Sequence, residues 1–468
     1  MEYSGLLVAT CMGLTIIADG KQYKDTAYRL LRLDSELIVL PTRYANELKN
    51  LPASKLSALD ATSILDTDSH LPIKTVQKRL IPAIGRLIPR LIDELKYAFE
   101  VEFPKCEDEW VAVKPHKIML RLVSRSSSRL FLDDSICRNE EFLDIVTSYS
   151  LNIFETVAVL QALPVFMRPF VAHLLPSYKR LMKQLKYAHE EILTPLIEKR
   201  IAAGKAGDPG YEKPDDFLQW MLDLVDHEQQ DVDPRFVTHH LLQLMGLAVS
   251  HTTSMAMTHI VYDLAMMPEY LETLRDEIHA ALLDGWENAT QTSLHELKRL
   301  DSFMRESQRL NPPGELSFHR VVKEPITLSD GLELPKGTHI CMASGPIGMD
   351  PDIVQDPEVF DGFRWFRDHK SSSSFISIGP TRVHFGLGRH ACPGRFFAAY
   401  SMKAILSRIL LDYDFKFEPG QAGRPKNTVF GDAIVPNMTT SVLFRKRRDT
   451  VAPSSRPLSK PLPPRPGA

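Results

Sequence analysis

Cysteine is scarce in this chain: five in 468 residues, with no Cys-x-x-Cys pair. That excludes a disulfide framework and a structural zinc ribbon as the organising device, and it fits a reducing compartment. No sign of charge predominates, with 56 Lys and Arg against 59 Asp and Glu and a net charge of −3. Such a balance gives no reason to invoke nucleic acid. Long apolar runs are also missing. Leu6 to Ala18 is the longest near the start, and it falls short of the about 20 residues a bilayer span requires. It lacks the basic start and cleavage pattern of a signal peptide. Residues 1–22 therefore read as a short apolar segment, a partial first helix without a full membrane anchor.

What is present is an ordinary core-forming composition, 44% hydrophobic and 25% charged. Tyr28 to Leu40 holds two short apolar runs around Asp34-Ser35-Glu36 and reads as a β-hairpin. Tyr44 to Leu48 starts a helix. From Ile73 to about Val249 apolar residues recur at helical spacing, punctuated at Ala203 to Pro214. Asp233-Pro234 is a strong helix start, and no proline follows until Pro268. A helix over that span is apolar around much of its circumference, so it belongs at the centre of the molecule. Further helices are expected at Glu269 to Leu283 and Ser293 to Leu310. Short strands are expected at Phe318 to Val322, Ile326 to Leu328, Glu333-Leu334, His339 to Met342 and Val442 to Phe444. The tail from Asp449 is rich in Pro and Ser and reads as disordered.

The most informative stretch is Phe385 to Gly394, FGLGRHACPG. Cys392 stands in a glycine-rich loop before a helical run, Arg395 to Leu411. Free N–H groups and the dipole at a helix start favour a thiolate there, and a thiolate is an iron ligand. Gly386, Gly388 and Gly394 permit close approach of backbone to a flat ligand. Upstream, Glu306 and Arg309 share one helix face. Alone they are compatible with a surface ion pair; Arg364, in Phe360-Asp361-Gly362-Phe363-Arg364-Trp365, offers a third member for a buried cluster.

Phe-x-x-Gly-x-x-x-Cys-x-Gly, preceded by Glu-x-x-Arg and Phe-x-x-Phe-Arg-Trp in that order, resembles the cytochrome P-450 superfamily. The resemblance runs from about Tyr23 to Arg447, and Gly345 to Ile347 with Asp350-Pro351 resembles its fungal secondary-metabolism branch. It implies a mainly α fold with a smaller β region, a long central helix over haem and a thiolate loop beneath. Residues 23–448 would form this domain. Cys392 would be the axial ligand of haem b (iron protoporphyrin IX), flanked by Phe385. Arg320 and His390 would meet the propionates, with Lys78 or Arg79 as a further basic contact. Glu306, Arg309 and Arg364 would hold the loop from behind.

On the central helix, Ala248-Val249-Ser250-His251-Thr252-Thr253 corresponds to the family's oxygen-activating segment. Val249 replaces a glycine and His251 an acid. By resemblance Thr252 organises bound oxygen, and His251 is a candidate proton donor, given an unperturbed pKa of about 6.5. A polar patch bonded back to the helix is the bland alternative. Leu244, Leu247, Ala248, Leu316, Phe318 and Ile434 are candidate lining for an apolar substrate pocket, and each would serve equally as plain core.

The resemblance implies an NADPH- and O2-dependent monooxygenase fed by a separate reductase, acting on an apolar, terpenoid-like metabolite. Arg389, Arg395 and Lys403 would offer the reductase a positive face. Rearrangement or dehydration without net oxygen insertion is an alternative, as is a non-catalytic haem sensor. Location at the cytosolic face of the endoplasmic reticulum is implied in the same way, with peripheral membrane contact or a soluble protein as the alternatives for a chain lacking a complete anchor.

Overall fold

In a computed structural model, the structure describes residues 6–8, 23–32, 36–62, 70–206, 211–227, 233–368 and 373–448. The centre of the hairpin turn at Asp34-Ser35, most of Leu6 to Ala18 and the tail from Asp449 lie outside them.

The expected central helix is there. The Asp233 side chain accepts from Arg235 N (2.9 Å) and Pro234 opens the first turn, because proline loses nothing where its N–H would be unpaired anyway. The helix runs through Pro234–Gln243, widens into a π segment over Leu244–Val249, and continues as Ser250–Met266. Gly246 lies under Tyr149, and a Cβ there would come within 2.8 Å of the tyrosine ring. A glycine at this point lets the Glu140–Gln161 helix cross close by. Met257, Val261, Tyr262 and Leu264 on the same helix are fully buried, as its all-round apolar character requires. It packs against helices Pro115–Phe131, Lys298–Leu310 and Arg395–Asp412.

A six-stranded sheet lies to one side. Its strands are β1 (Leu6–Val8), β2 (Tyr28–Leu31), β3 (Glu36–Val39), β4 (Leu56–Ser57), β6 (Ser317–Val322) and β9 (His339–Met342), in the order β1-β2-β3-β9-β6-β4. The hairpin β2–β3 pairs Tyr28 with Val39 and Leu31 with Glu36. Leu6–Val8 is a strand parallel to β2, not part of a helix. Strands β7 (Ile326–Thr327) and β8 (Glu333–Leu334) form a small ribbon. A second sheet joins β10 (Tyr413–Phe417), β13 (Val442–Lys446) and β5 (Val111–Val113), of which only β13 is evident in the sequence. The ribbon β11 (Thr428–Phe430) and β12 (Ala433–Val435) completes the strands among the described residues.

The helix expected over Ser293 to Leu310 is two. Gln291–His295 is closed by a reciprocal Thr290–Ser293 cap. Lys298–Leu310 starts afresh because the buried Glu277 carboxylate accepts from Arg299 N (2.7 Å) and Leu300 N (2.9 Å). A side chain from a neighbouring helix thus supplies the cap that the local sequence lacks.

Candidate functional site

The loop before the Arg395–Asp412 helix folds back on itself, with Cys392 N donating to Phe385 O at 2.7 Å. Gly386 and Gly388 take φ of +72° and +67°, which favour glycine. At Gly388 packing adds a second demand, since a Cβ would lie 2.2 Å from Lys49 O. Gly388 therefore serves contact with protein backbone rather than with a ligand. Gly394 has ordinary φ and caps the helix.

The Cys392 sulfur accepts from the N–H groups of Gly394 and Arg395, yet burial outweighs them and pushes the thiol pKa up. The helix start alone does not make a thiolate. A metal cation at the sulfur would, because coordination removes the thiol proton. Cys392 is exposed by surface area, and its exposed surface opens on two cavities of about 590 Å³ and 310 Å³. Ala248, Phe385 and Cys392 line both. The two chambers therefore meet between the central helix and the cysteine loop as one slot.

That slot fits a flat macrocycle bearing two carboxylates. Arg320 is buried, stacks on Phe318 at 4.3 Å and donates to His319 O at 2.7 Å. Its remaining Nη2 is buried without a partner, as is His390 Nε2. Both residues line the larger chamber. Burial lowers the Arg320 pKa to about 10 and that of His390 to about 4. A buried guanidinium with a spare donor is what a buried carboxylate needs. Lys78 and Arg79 do not reach the chamber; His70 and Lys74, one turn earlier, do. Only the i, i+4 spacing of His70 and Lys74 marked that pair in the sequence, and it is too common a signal to single them out.

Thr252 lines the smaller chamber, and its Oγ1 donates to Ala248 O at 2.7 Å. His251 does not line either chamber. Its ring lies 5.0 Å from Phe154 and 6.4 Å from His116, and burial lowers its pKa to about 4. The structure thus places His251 in the packing beside Phe154 and His116 and not on the pocket wall. Leu244, Leu247 and Phe318 line the larger chamber and Ile434 the smaller. Leu316 lines neither; it packs with Leu30, Leu37 and Val39 in a small core on the six-stranded sheet.

On the Lys298–Leu310 helix, Glu306 is fully buried. Its carboxylate accepts from Arg309 (2.7 and 3.0 Å), Arg364 Nε (3.1 Å), Trp365 Nε1 (2.9 Å) and Asp361 N (3.1 Å). Arg309 also donates to the carbonyls of Gly348 and Pro357. Trp365 and the backbone of Asp361 are members that sequence spacing did not mark. Of the expected positive face, Arg389 is exposed at the larger chamber. Arg395 is tied to Ile376 O and Cys392 O. Lys403 is buried and pairs with Asp301 at 2.8 Å, so it presents nothing to a partner.

Comparison with known proteins agrees with this geometry. Residues 86–444 match the family model described as Cytochrome P450. The chain is 55% identical over 442 residues to the cytochrome P450 monooxygenase penP of Penicillium crustosum, covering 92% of this chain and 85% of that one. It is 51% identical to paxP of Penicillium paxilli and 52% to AtmP of Aspergillus flavus, each a cytochrome P450 monooxygenase by name and each with the same coverage. The solved structure of retinoic acid bound cyanobacterial CYP120A1 superposes with a TM-score of 0.69 at 20% identity, over 92% of this chain and 93% of the other. At that identity the likeness speaks for the fold alone.

Proposed function

The chain belongs to the cytochrome P450 family, whose members named above are monooxygenases, and on that premise we propose that it holds haem through Cys392 and oxidises an apolar, terpenoid-like secondary metabolite. The electrons would come from NADPH through a separate reductase. The observation that carries this reading is the position of the Cys392 sulfur at the junction of both chambers. Bound there, a thiolate-ligated haem supplies reductive O2 activation.

The protein's own residues have distinct tasks. Gly394 and Arg395 N–H groups hold the sulfur, and the Glu306 cluster fixes the backbone behind it. Arg320 and His390 would take the carboxylates. Thr252 presents a hydroxyl beside Ala248, where it can pass its hydrogen bond from the Ala248 carbonyl to a ligand in the chamber. Leu244, Leu247 and Phe318 exclude water and seat an apolar substrate. Rearrangement or dehydration without net oxygen insertion gains from one observation: with His251 turned away, no acidic side chain lines either chamber among the described residues.

Contact with a membrane surface is part of the proposal. Val165, Phe166, Phe170 and Leu174 are 70–76% exposed within one short stretch of chain. One helix, Glu140–Gln161, is long and apolar enough to cross a bilayer among the described residues; it packs against the Pro176–Tyr187 helix.

The test is the carbon monoxide difference spectrum of the reduced protein. A red-shifted Soret band is expected in the wild type and its absence in Cys392→Ala. A band that persists in the variant refutes the assignment.

A further inference from the structure

The smaller chamber is walled toward solvent by the ribbon of β11 and β12. Ile434 lines the chamber. Its partner directly across the ladder is Val429, so the two side chains stand on one face of the ribbon. Ile434 is buried, while Val429 is 48% exposed. At this point the wall is one residue pair wide. Phe430, at the tip, is 38% exposed, so the outer edge of the wall is apolar too.

The ribbon is held differently at its two ends. Its legs are fixed inside the protein. Arg424 donates to Asp263 at 2.5 Å and to His259 Nδ1 at 2.9 Å, and Asn427 donates to Asn311 Oδ1 at 2.8 Å. On the other leg, Asn437 O accepts from the Tyr262 hydroxyl at 2.6 Å. His259, Tyr262 and Asp263 belong to the central helix and are buried, where low dielectric strengthens each bond. The tip turns at Gly431, with φ +62°, and hangs on less. Asp432 pairs with Arg32 at 3.1 Å, the two side chains being 27% and 21% exposed. His319 Nε2 lies 3.9 Å from the other carboxylate oxygen, and burial keeps that ring uncharged near neutrality, with a pKa lowered to about 4. Backbone contacts add Glu315 N to Asp432 O at 2.7 Å and a long Ile434 N to Pro313 O at 3.4 Å. A partly exposed ion pair is the weaker kind and is screened by salt. Anchored legs and a lightly held tip are how a flap is built.

We propose that residues 424–437 form a flap over the smaller chamber, hinged on the central helix and latched by the Arg32–Asp432 pair, whose opening admits and releases apolar ligands. This rests on the reading of the chambers as the haem and substrate site, and adds a route into them. Arg32 and Asp432 line neither chamber. They act on passage, not on the bound ligand.

The experiment times ligand entry and exit rather than turnover. The full-length ferric holoenzyme is mixed with the iron ligand 1-phenylimidazole and followed by stopped-flow absorbance. In Arg32→Gln, kon and koff should rise together by about fivefold with Kd unchanged, the size expected for losing a partly exposed ion pair. A gate moves both rates equally, which a contact with the bound ligand does not. High salt should bring the wild type toward the variant and leave the variant unmoved. Hydrogen exchange should quicken over residues 428–435 in Arg32→Gln and stay unchanged over the Ser250–Met266 helix. Unchanged rates overturn the proposal, and mean that ligands enter through the larger chamber. A change in Kd with kon unchanged overturns it as well. If the variant fails to fold, the salt dependence of the wild-type rates decides alone. Failure of the haem reading would show separately, as absence of the red-shifted Soret band and of any spectral change with the probe.

Discussion

Thr252 and His251 are neighbours in sequence and face different surroundings: the Thr252 hydroxyl opens on the chamber beside Cys392, while the His251 ring lies 5.0 Å from Phe154 on the Glu140–Gln161 helix. Successive residues on a helix are turned by about a quarter of a circle. That rotation is enough to put one at the chemistry and the other in the packing between helices.

Thr252→Val should therefore raise peroxide released per NADPH consumed several-fold, because its hydroxyl is a hydrogen-bonding group on the wall of the smaller chamber. His251→Phe should leave both that ratio and its pH profile unchanged between pH 5.5 and 8, since burial already keeps the ring neutral with a pKa of about 4. Coupling ratios measured across that pH range check both. A large rise in peroxide for His251→Phe would return the histidine to the proton route.

Glu306→Gln should cost about 3–5 kcal/mol, the range for breaking a buried ion pair by removing one partner. The amide leaves the Arg309 and Arg364 guanidinium groups without their common carboxylate. Urea unfolding gives the stability, and haem content per chain reports whether the Cys392 loop is still held. Unchanged values for both would show that the cluster is dispensable.

Glu315 is buried, with Oε2 lacking a partner, and its N–H donates to Asp432 O at 2.7 Å. Burial, then the neighbouring Asp432, raises its pKa from 4.5 to about 7. The folded state thus holds this proton more tightly than the unfolded state. Its stabilising effect is present below pH 4.5 and is lost as pH rises to about 7. Buried histidines such as His116 and His384, with pKa lowered from 6.5 to about 4, slope the other way below pH 6.5. Glu315→Gln should accordingly raise the melting temperature at pH 7.5 relative to wild type, with the gap shrinking toward pH 5. A gap independent of pH would contradict the assignment.

Phe166 and Phe170 are 75% and 76% exposed. Replacing both by serine should weaken binding to phosphatidylcholine–phosphatidylserine vesicles by about tenfold or more, since a buried Phe contributes about 1.5–3 kcal/mol. Co-sedimentation measures this. Equal sedimentation of the double variant and wild type would remove this segment from the membrane reading.

Local features of the site were legible in the sequence. Asp233-Pro234 announced the central helix and Glu306 and Arg309 their shared face; Gly386 and Gly388, read as room for a flat ligand, take positive φ, and Gly388 packs against Lys49 O. Other members had no local signature. His70 and Lys74 are ordinary residues until the fold places them at the chamber. Lys403 looked like a surface charge until Asp301 was found beside it. β5 and β10 are strands because β13 lies between them.

By itself the sequence determined what depends on a few neighbouring residues: helix starts, turns with positive φ, and a cysteine at a helix entrance, all set by backbone sterics and nearby donors. Tertiary structure alone decided direction. A helix buried on every side has no polar face to orient it, so only its packing partners could send Thr252 toward the sulfur and His251 away. Likewise Leu316 and Phe318, two residues apart, would share a face on a regular strand. Leu316 precedes β6, and the register shifts between Ser317 and Arg320 with Phe318 at φ +55°, so one joins a small core and the other the chamber. The Cys392 thiolate belongs to the same class, because burial raises the pKa that the helix start would lower; what makes it a ligand is the slot that the whole fold builds around it.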